Sequence, residues 1–221
     1  MWIANSAFFK FCPTRCFYCS FTANPIGANK KVVTPYLEAL SHEIEEIAKY
    51  VDERGLNIES VYFGGGTPAL AANRIKEIID AINEHFIITE GIGLELHPDN
   101  VTVEILQTLK DAGVTKISIG IQSFCEKFGK ILGRKAVDAS KMKSALSAVP
   151  FETVSMDFIF ALPEQTFDDL KSDIDKAFSS GANHVAIYPF IDFTFTESPL
   201  SALPKKEKRS LLDAITKYCQ S

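Results

Sequence analysis

The chain has no basic surplus, no long apolar run and no even set of cysteines, and each absence removes a class of function. Its 221 residues carry 23 Lys and Arg against 28 Asp and Glu, a formal net charge of −5. A nucleic-acid partner calls for a basic face, so none is expected. No stretch approaches the roughly 20 apolar residues of a membrane-spanning helix. No basic segment followed by an apolar run opens the sequence, so neither a span nor an export signal is expected. The five cysteines are scattered rather than laid out as a disulfide framework, which points to a reducing compartment, the cytoplasm. Internal repeats, low-complexity tracts and obvious linkers are also lacking. What is present is 46% hydrophobic content, enough for one substantial core.

The apolar residues alternate between strand and helix periods. Thr34-Pro35 reads as an N-cap with proline in the first turn, Leu37, Leu40, Ile44, Ile47 and Val51 recur at helical spacing, and Gly55 stops the run. Ile75, Ile78, Ile79, Ile82 and Phe86 mark a second helix, and Val103, Leu106 and Leu109 a third that ends at Gly113. Helices are also expected from Asp138 to before Pro150, from a Thr166 cap through Phe167, Leu170, Ile174 and Phe178, and from Lys205 to Tyr218. Between them lie strands at Trp2 to Phe9, Ser60 to Phe63, Gly91 to Leu96, Lys116 to Gly120, Thr153 to Phe160 and His184 to Tyr188. About six strands alternating with helices predict a parallel α/β sheet, too few for a closed eight-stranded barrel.

Three cysteines stand close together in Phe11-Cys12-Pro13-Thr14-Arg15-Cys16-Phe17-Tyr18-Cys19-Ser20, with the spacing Cys-x3-Cys-x2-Cys. Three thiolates in so short a loop suit three irons of a cubane iron–sulfur cluster, whose usual complement is four. The missing fourth ligand leaves one iron open, as catalytic metal sites do. A structural zinc site would want a fourth nearby Cys or His, and a disulfide would leave one thiol over. The nearest histidine is His42, on an expected helix, and Cys125 and Cys219 are distant.

Functional groups of parallel barrels project from the loops after the strands. The cysteine loop follows the first strand and Gly64-Gly65-Gly66-Thr67-Pro68 the second; Glu95 and His97 end the third. Gln122 follows the fourth, Asp157 lies in the fifth, and Tyr188-Pro189 closes the sixth. The glycine triplet would let backbone approach a ligand and present unhindered N–H groups, or simply make a tight turn. Gly93, Glu95 and His97 share one strand face, and Ser118, Gly120 and Gln122 share another. Apolar faces belong against helices, so these polar faces point inward, suited to a polar cofactor or to satisfying one another. Asp157 is a lone carboxylate in an apolar strand, costly unless paired, and an ion pair is the plain alternative. Arg134 alone would read as a surface arginine.

The Cys-x3-Cys-x2-Cys motif resembles that of the radical S-adenosylmethionine (SAM) superfamily, and Cys16-Phe17-Tyr18-Cys19 resembles the branch of oxygen-independent coproporphyrinogen III oxidase. The resemblance covers nearly the whole chain. It implies an open parallel (β/α)6 three-quarter barrel over residues 1–195, followed by a C-terminal helical segment, 196–221. It also implies a 4Fe-4S cluster on Cys12, Cys16 and Cys19, with SAM on the open iron and cleaved to a 5′-deoxyadenosyl radical. Gly64, Gly65, Gly66 and Thr67 match the GGGTP motif that meets the SAM amino group. Glu95 and Gln122 match residues around its ribose, Asp157 an adenosine-side contact, and Arg134 the partner of its carboxylate. Tyr18 and Phe17 are expected to pack around the cluster and the adenine.

The sequence departs from that family in three places. The Tyr-x-His-x-Pro-Phe before the first cysteine is replaced by Ser6-Ala7-Phe8-Phe9-Lys10-Phe11, Gly-Arg-x-His by Gly133-Arg134-Lys135-Ala136, and Glu-x-Asn-Pro by Glu95-Leu96-His97-Pro98. SAM cleavage is expected to survive these changes, while porphyrinogen decarboxylation is less secure. Relatives carry a C-terminal domain over the substrate, so 196–221 is expected to be its remnant, or the site to be open or completed by a partner. The resemblance implies an oxidoreductase acting on a small molecule such as a tetrapyrrole, with flavodoxin or ferredoxin as electron donor. A haem chaperone with little SAM turnover and a radical SAM methyltransferase are the alternatives within the same branch.

Overall fold

The structure, a computed structural model, describes residues 5–19, 24–25, 30–192 and 201–220. Strand β1 (Asn5–Phe9) leads into two short strands, β2 (Phe11–Cys12) and β3 (Asn24–Pro25), which pair with each other in parallel. Then come α1 (Val33–Asp52), β4 (Val61–Gly65), α2 (Ala72–Asn83), β5 (Ile92–Leu96), α3 (Val103–Asp111) and β6 (Lys116–Gln122). The chain continues through α4 (Glu126–Ile131), α5 (Ala139–Ala148), β7 (Thr153–Phe160), α6 (Phe167–Ser179), β8 (His184–Pro189) and α7 (Lys205–Cys219). One six-stranded sheet runs β1-β4-β5-β6-β7-β8 with every neighbouring pair parallel. β1 and β8 are its two edges, so the expected open (β/α)6 barrel is the fold. Residues 2–4 of the expected first strand and the proposed 195/196 boundary lie outside the described residues.

Alternation places the two faces of this sheet. Leu94, Leu96, Ile117, Ile119, Met156 and Phe158 point outward and are at most 3% exposed, packed with Ile75, Ile78 and Ile79 of α2 and Leu106 and Leu109 of α3. Truncating any one of the fully enclosed leucines to alanine costs about 2–5 kcal/mol, because the hole left behind closes only in part. Asp138 caps α5 by accepting from the Ser140 and Lys141 N–H groups, and Thr166 and Asp169 form a reciprocal capping box at α6.

Helix α1 departs from its expected start. It begins at Val33 after a 3-10 turn over Lys30–Val32, so Thr34 lies inside the helix, where its hydroxyl accepts from Arg74 Nη1 at 3.1 Å instead of capping. Val103 and Phe178 fit the helical period but are half exposed. No helix among the described residues is long and apolar enough to cross a membrane.

Candidate functional site

One cavity of about 450 Å³ opens at the C-terminal ends of the strands. Cys12, Cys16, Tyr18 and Cys19 line it from the first loop, Gly65, Gly66 and Thr67 from the second, and Glu95 from β5. Gln122 and Arg134 line it beyond β6, and Asp157 from β7. Of the site residues expected from sequence, Gly64 and Phe17 are not in the wall. Gly64 sits behind Glu95, where an added Cβ would come 3.2 Å from Glu95 Oε1 and from the Tyr62 ring. Across the mouth, Ile159, Tyr188, Pro189, Phe190 and Ile191 give one side an apolar lining.

The cysteine loop is tied to its surroundings at Cys12 and Phe17. Cys19 N–H donates to Cys16 O (3.2 Å), making a turn, and Phe17 N–H donates to Leu132 O (3.3 Å). Thr67 Oγ1 reaches Cys12 Sγ at 3.7 Å. Burial pushes the Cys12 thiol up, the Thr67 hydrogen bond opposes it, and the nearby Cys16 and Cys19 add to the rise. Among the described residues no three His, Cys, Asp or Glu side chains converge as they would on a single metal ion. Thiolates that each bind a different iron of one cluster do not have to.

The glycine segment differs from expectation. Its N–H groups are engaged within the protein: Gly65 donates to Glu95 Oε2 (3.0 Å), Gly66 to Phe9 O (2.5 Å) and Thr67 to Phe11 O (2.7 Å). The segment instead locks β4 to β5 and to the strand before the cysteines. Gly66 is required by closeness, because a Cβ there would fall 2.3 Å from Phe11 O. These three N–H groups are therefore not free to receive a ligand.

Inside the barrel the polar faces form a connected lattice. Ser118 Oγ donates to Asp157 Oδ2 (2.7 Å), Ser155 Oγ donates to Asp157 Oδ1 (3.3 Å), and Ser155 Oγ lies 2.9 Å from His184 Nδ1. The Tyr62 hydroxyl shares hydrogen bonds with Ser118 and Glu95. Two hydroxyls thus answer Asp157, and no Lys or Arg pairs with it among the described residues, so the ion-pair alternative does not hold. Burial pushes both carboxyls up, Glu95 further under the influence of Asp157. A folded-state pKa above the unfolded one means that the fold disfavours the charged form, so the protein loses stability as pH rises past the ordinary carboxylate range. Asp157→Asn is therefore expected to raise the melting temperature of the ligand-free protein at pH 7 by about 2 °C. Thermal melts at pH 4 and pH 7 check this; a lowered melting temperature at pH 7 would refute it.

Arg134 is half-buried beside these groups, a placement that nothing local in its sequence signals. Its Nη2 donates to Tyr18 Oη (3.2 Å) and its Nη1 to Gly120 O (3.4 Å), with Cys16 also within hydrogen-bonding reach. Its Nε is buried without a partner. Arg134 is among the residues lining the cavity, and a guanidinium there suits an incoming carboxylate. Gln122 ends β6 with φ 71°, and its Nε2 passes so close to Gly120 that a Cβ there would lie 2.9 Å away. His97, at the family's asparagine position, accepts the Asp99 N–H on Nδ1 (3.2 Å). Burial, then Arg134, holds its pKa down to about 4, so it is neutral at physiological pH. Tyr18 packs against Phe128, Leu132 and Phe190, while Phe17 is 41% exposed and lies over Gly133. Tyr62 and Ser155 escaped the sequence reading: Tyr62 sits in the apolar run Val61-Tyr62-Phe63, where no signal marks which residue faces inward.

Comparison with known proteins adds the lineage. The family model of the Radical SAM superfamily matches residues 6–177. The heme chaperone HemW of Lactococcus lactis is 34% identical over 199 residues, covering 85% of this chain and 49% of that protein. The oxygen-independent coproporphyrinogen III oxidase of Synechocystis is 26% identical over 209 residues, covering 90% and 44%. The solved structure of Escherichia coli coproporphyrinogen III oxidase (HemN), titled a radical SAM enzyme, superposes with a TM-score of 0.84 at 19% identity, covering 98% of this chain and 52% of that one. The chain spans about half the length of the curated relatives it matches. With a family model over most of its length and a three-cysteine loop at the head of an open parallel barrel, the chain belongs to the radical SAM superfamily.

Proposed function

We propose that this chain carries a 4Fe-4S cluster on Cys12, Cys16 and Cys19 and cleaves SAM reductively. The observation that carries the reading is convergence: residues from the ends of separate strands line one cavity, with the three cysteines and Arg134 in its wall. When bound, the cluster supplies the electron, drawn from a donor such as flavodoxin or ferredoxin, that breaks a sulfonium carbon–sulfur bond to give a 5′-deoxyadenosyl radical.

The chain's own residues bind and orient. Arg134 receives the carboxylate of SAM with a charge-assisted fork. The glycine segment and Thr67 offer acceptors to its ammonium. Gln122, Glu95 and Asp157 accept from ribose hydroxyls, and the positive charge of SAM favours the ionised forms of the two carboxyls, which burial penalises. The apolar side, Ile159 to Ile191, keeps water from the radical and receives the substrate, a small molecule of tetrapyrrole type. A second reading, haem delivery without turnover, is favoured by the higher identity to proteins named heme chaperones.

Anaerobic cluster reconstitution, addition of SAM and dithionite, and chromatography of 5′-deoxyadenosine test the reading. Multiple turnovers per chain are expected. A cluster that binds SAM without cleaving it, in a chain that titrates with haem, would replace the enzyme by the chaperone.

A further inference from the structure

We infer that Asp173, on helix α6 outside the cavity, is a positioning residue that sets Gln122 for SAM, an assignment that rests on the cofactor reading above. Gln122 is a non-glycine residue at φ 71°, and the pairing of β6 with β7 slips between Gly120 and Gln122. Left-handed backbone at such a residue persists only where the surroundings over-determine it. The ladder of β6 does not do so, because the slip falls at this point.

The residues that follow supply the constraint. Ser123 Oγ donates to Asp173 Oδ2 (2.7 Å) and Phe124 N–H donates to Asp173 Oδ1 (2.8 Å). Ser123 Oγ in turn accepts the Cys125 N–H (3.0 Å), which leads into α4. One turn further along α6, Lys176 Nζ sits 5.0 Å from the Phe124 ring, which packs on Phe158. Helix α6 therefore grips the two residues after Gln122 at two points. Asp168 and Asp175 of the same helix are exposed, whereas Asp173 is turned inward and 3% exposed. A buried carboxylate is a costly way to close an ordinary turn. Here both of its oxygens are committed to the segment that fixes where the Gln122 side chain enters the cavity.

The test is SAM affinity of the reconstituted full chain by calorimetry, with iron content and thermal melts recorded in parallel. Gln122→Ala and Asp173→Ala are each expected to weaken SAM binding about 10-fold with iron content unchanged. The double variant should bind no more weakly than Gln122→Ala alone, because Asp173 acts through that side chain. Asp173→Asn, which keeps an acceptor for the Phe124 N–H, should recover part of the affinity. Should Asp173→Ala fail to fold, Ser123→Ala replaces it in the same cycle with a smaller effect. A loss of melting temperature with unchanged SAM affinity, or effects that add fully, would overturn the inference and leave Asp173 structural. If Gln122→Ala itself binds SAM normally, the cofactor role of Gln122 falls, and the positioning role with it.

Discussion

Alanine at Cys12, Cys16 or Cys19 is expected to abolish the visible absorbance of the reconstituted cluster and to reduce 5′-deoxyadenosine formation to background. A cubane held by three thiolates has no spare ligand, so losing one leaves two irons unprotected. The same change at Cys125 or Cys219 should leave iron content near that of the unaltered chain: Cys125 precedes α4 and is not among the residues lining the cavity, and Cys219 is exposed on α7. Burial pushes the Cys12 thiol up, so it must give up a proton to bind iron, and assembly should release protons and go further as pH rises. Iron analysis and absorbance of the single and triple variants check this. A triple variant with a full iron complement would sink the cluster assignment.

Long amphipathic patterns made most of the barrel legible. Leu37, Ile44 and Val51 of α1, and Ile75, Ile78, Ile79 and Ile82 of α2, recur on one face because that face must be buried, and each is buried. Alternation in Gly91 to Leu96 and Lys116 to Gln122 separated a helix-facing side from a polar one, which placed Glu95 and Gln122 in the interior. Short elements left no such trace. Six residues of α4 span under two helical turns, too few for a period to register. Thr34-Pro35 resembled a helix start, but the helix begins two residues earlier, at Val33, and the hydroxyl found a partner on α2.

Within the site, the division lies between what a local pattern carries and what only tertiary packing decides. Cysteine spacing and the glycine run are local, and both were readable. The use of the glycine N–H groups was not, because their acceptors, Phe9, Phe11 and Glu95, come from other strands. Asp173 looks like one of several acids along a solvated helix until the β6–α4 loop is packed against it. Arg134 was found by family resemblance alone, since its burial depends on the Tyr18 hydroxyl and the Gly120 carbonyl, both remote in sequence.

That burial gives Arg134 the second large expected effect. Arg134→Ala should weaken SAM binding about 100-fold, the scale of losing a forked, charge-assisted pair with a carboxylate. Arg134→Lys should recover only part of this, because an ammonium offers a point charge where the guanidinium offers a planar fork. Electrostatics sharpen the contrast. With Arg134 gone, a ligand carboxylate would face Glu95 and Asp157 with Arg15 the one Lys or Arg left in the cavity wall among the described residues. His97 cannot substitute near neutral pH, because burial, the larger of the influences on it, still keeps it uncharged. Loss of Arg134 also lifts one of the influences holding His97 down, so the alanine variant should regain some SAM affinity as the pH is lowered toward the ordinary histidine range. Calorimetric titrations of SAM at pH 8 and pH 6 separate these contributions, with iron content as the control for the cysteine loop, which Arg134 touches through Cys16. Unchanged SAM affinity in Arg134→Ala with the cluster intact would show that the carboxylate of SAM binds elsewhere in the cavity.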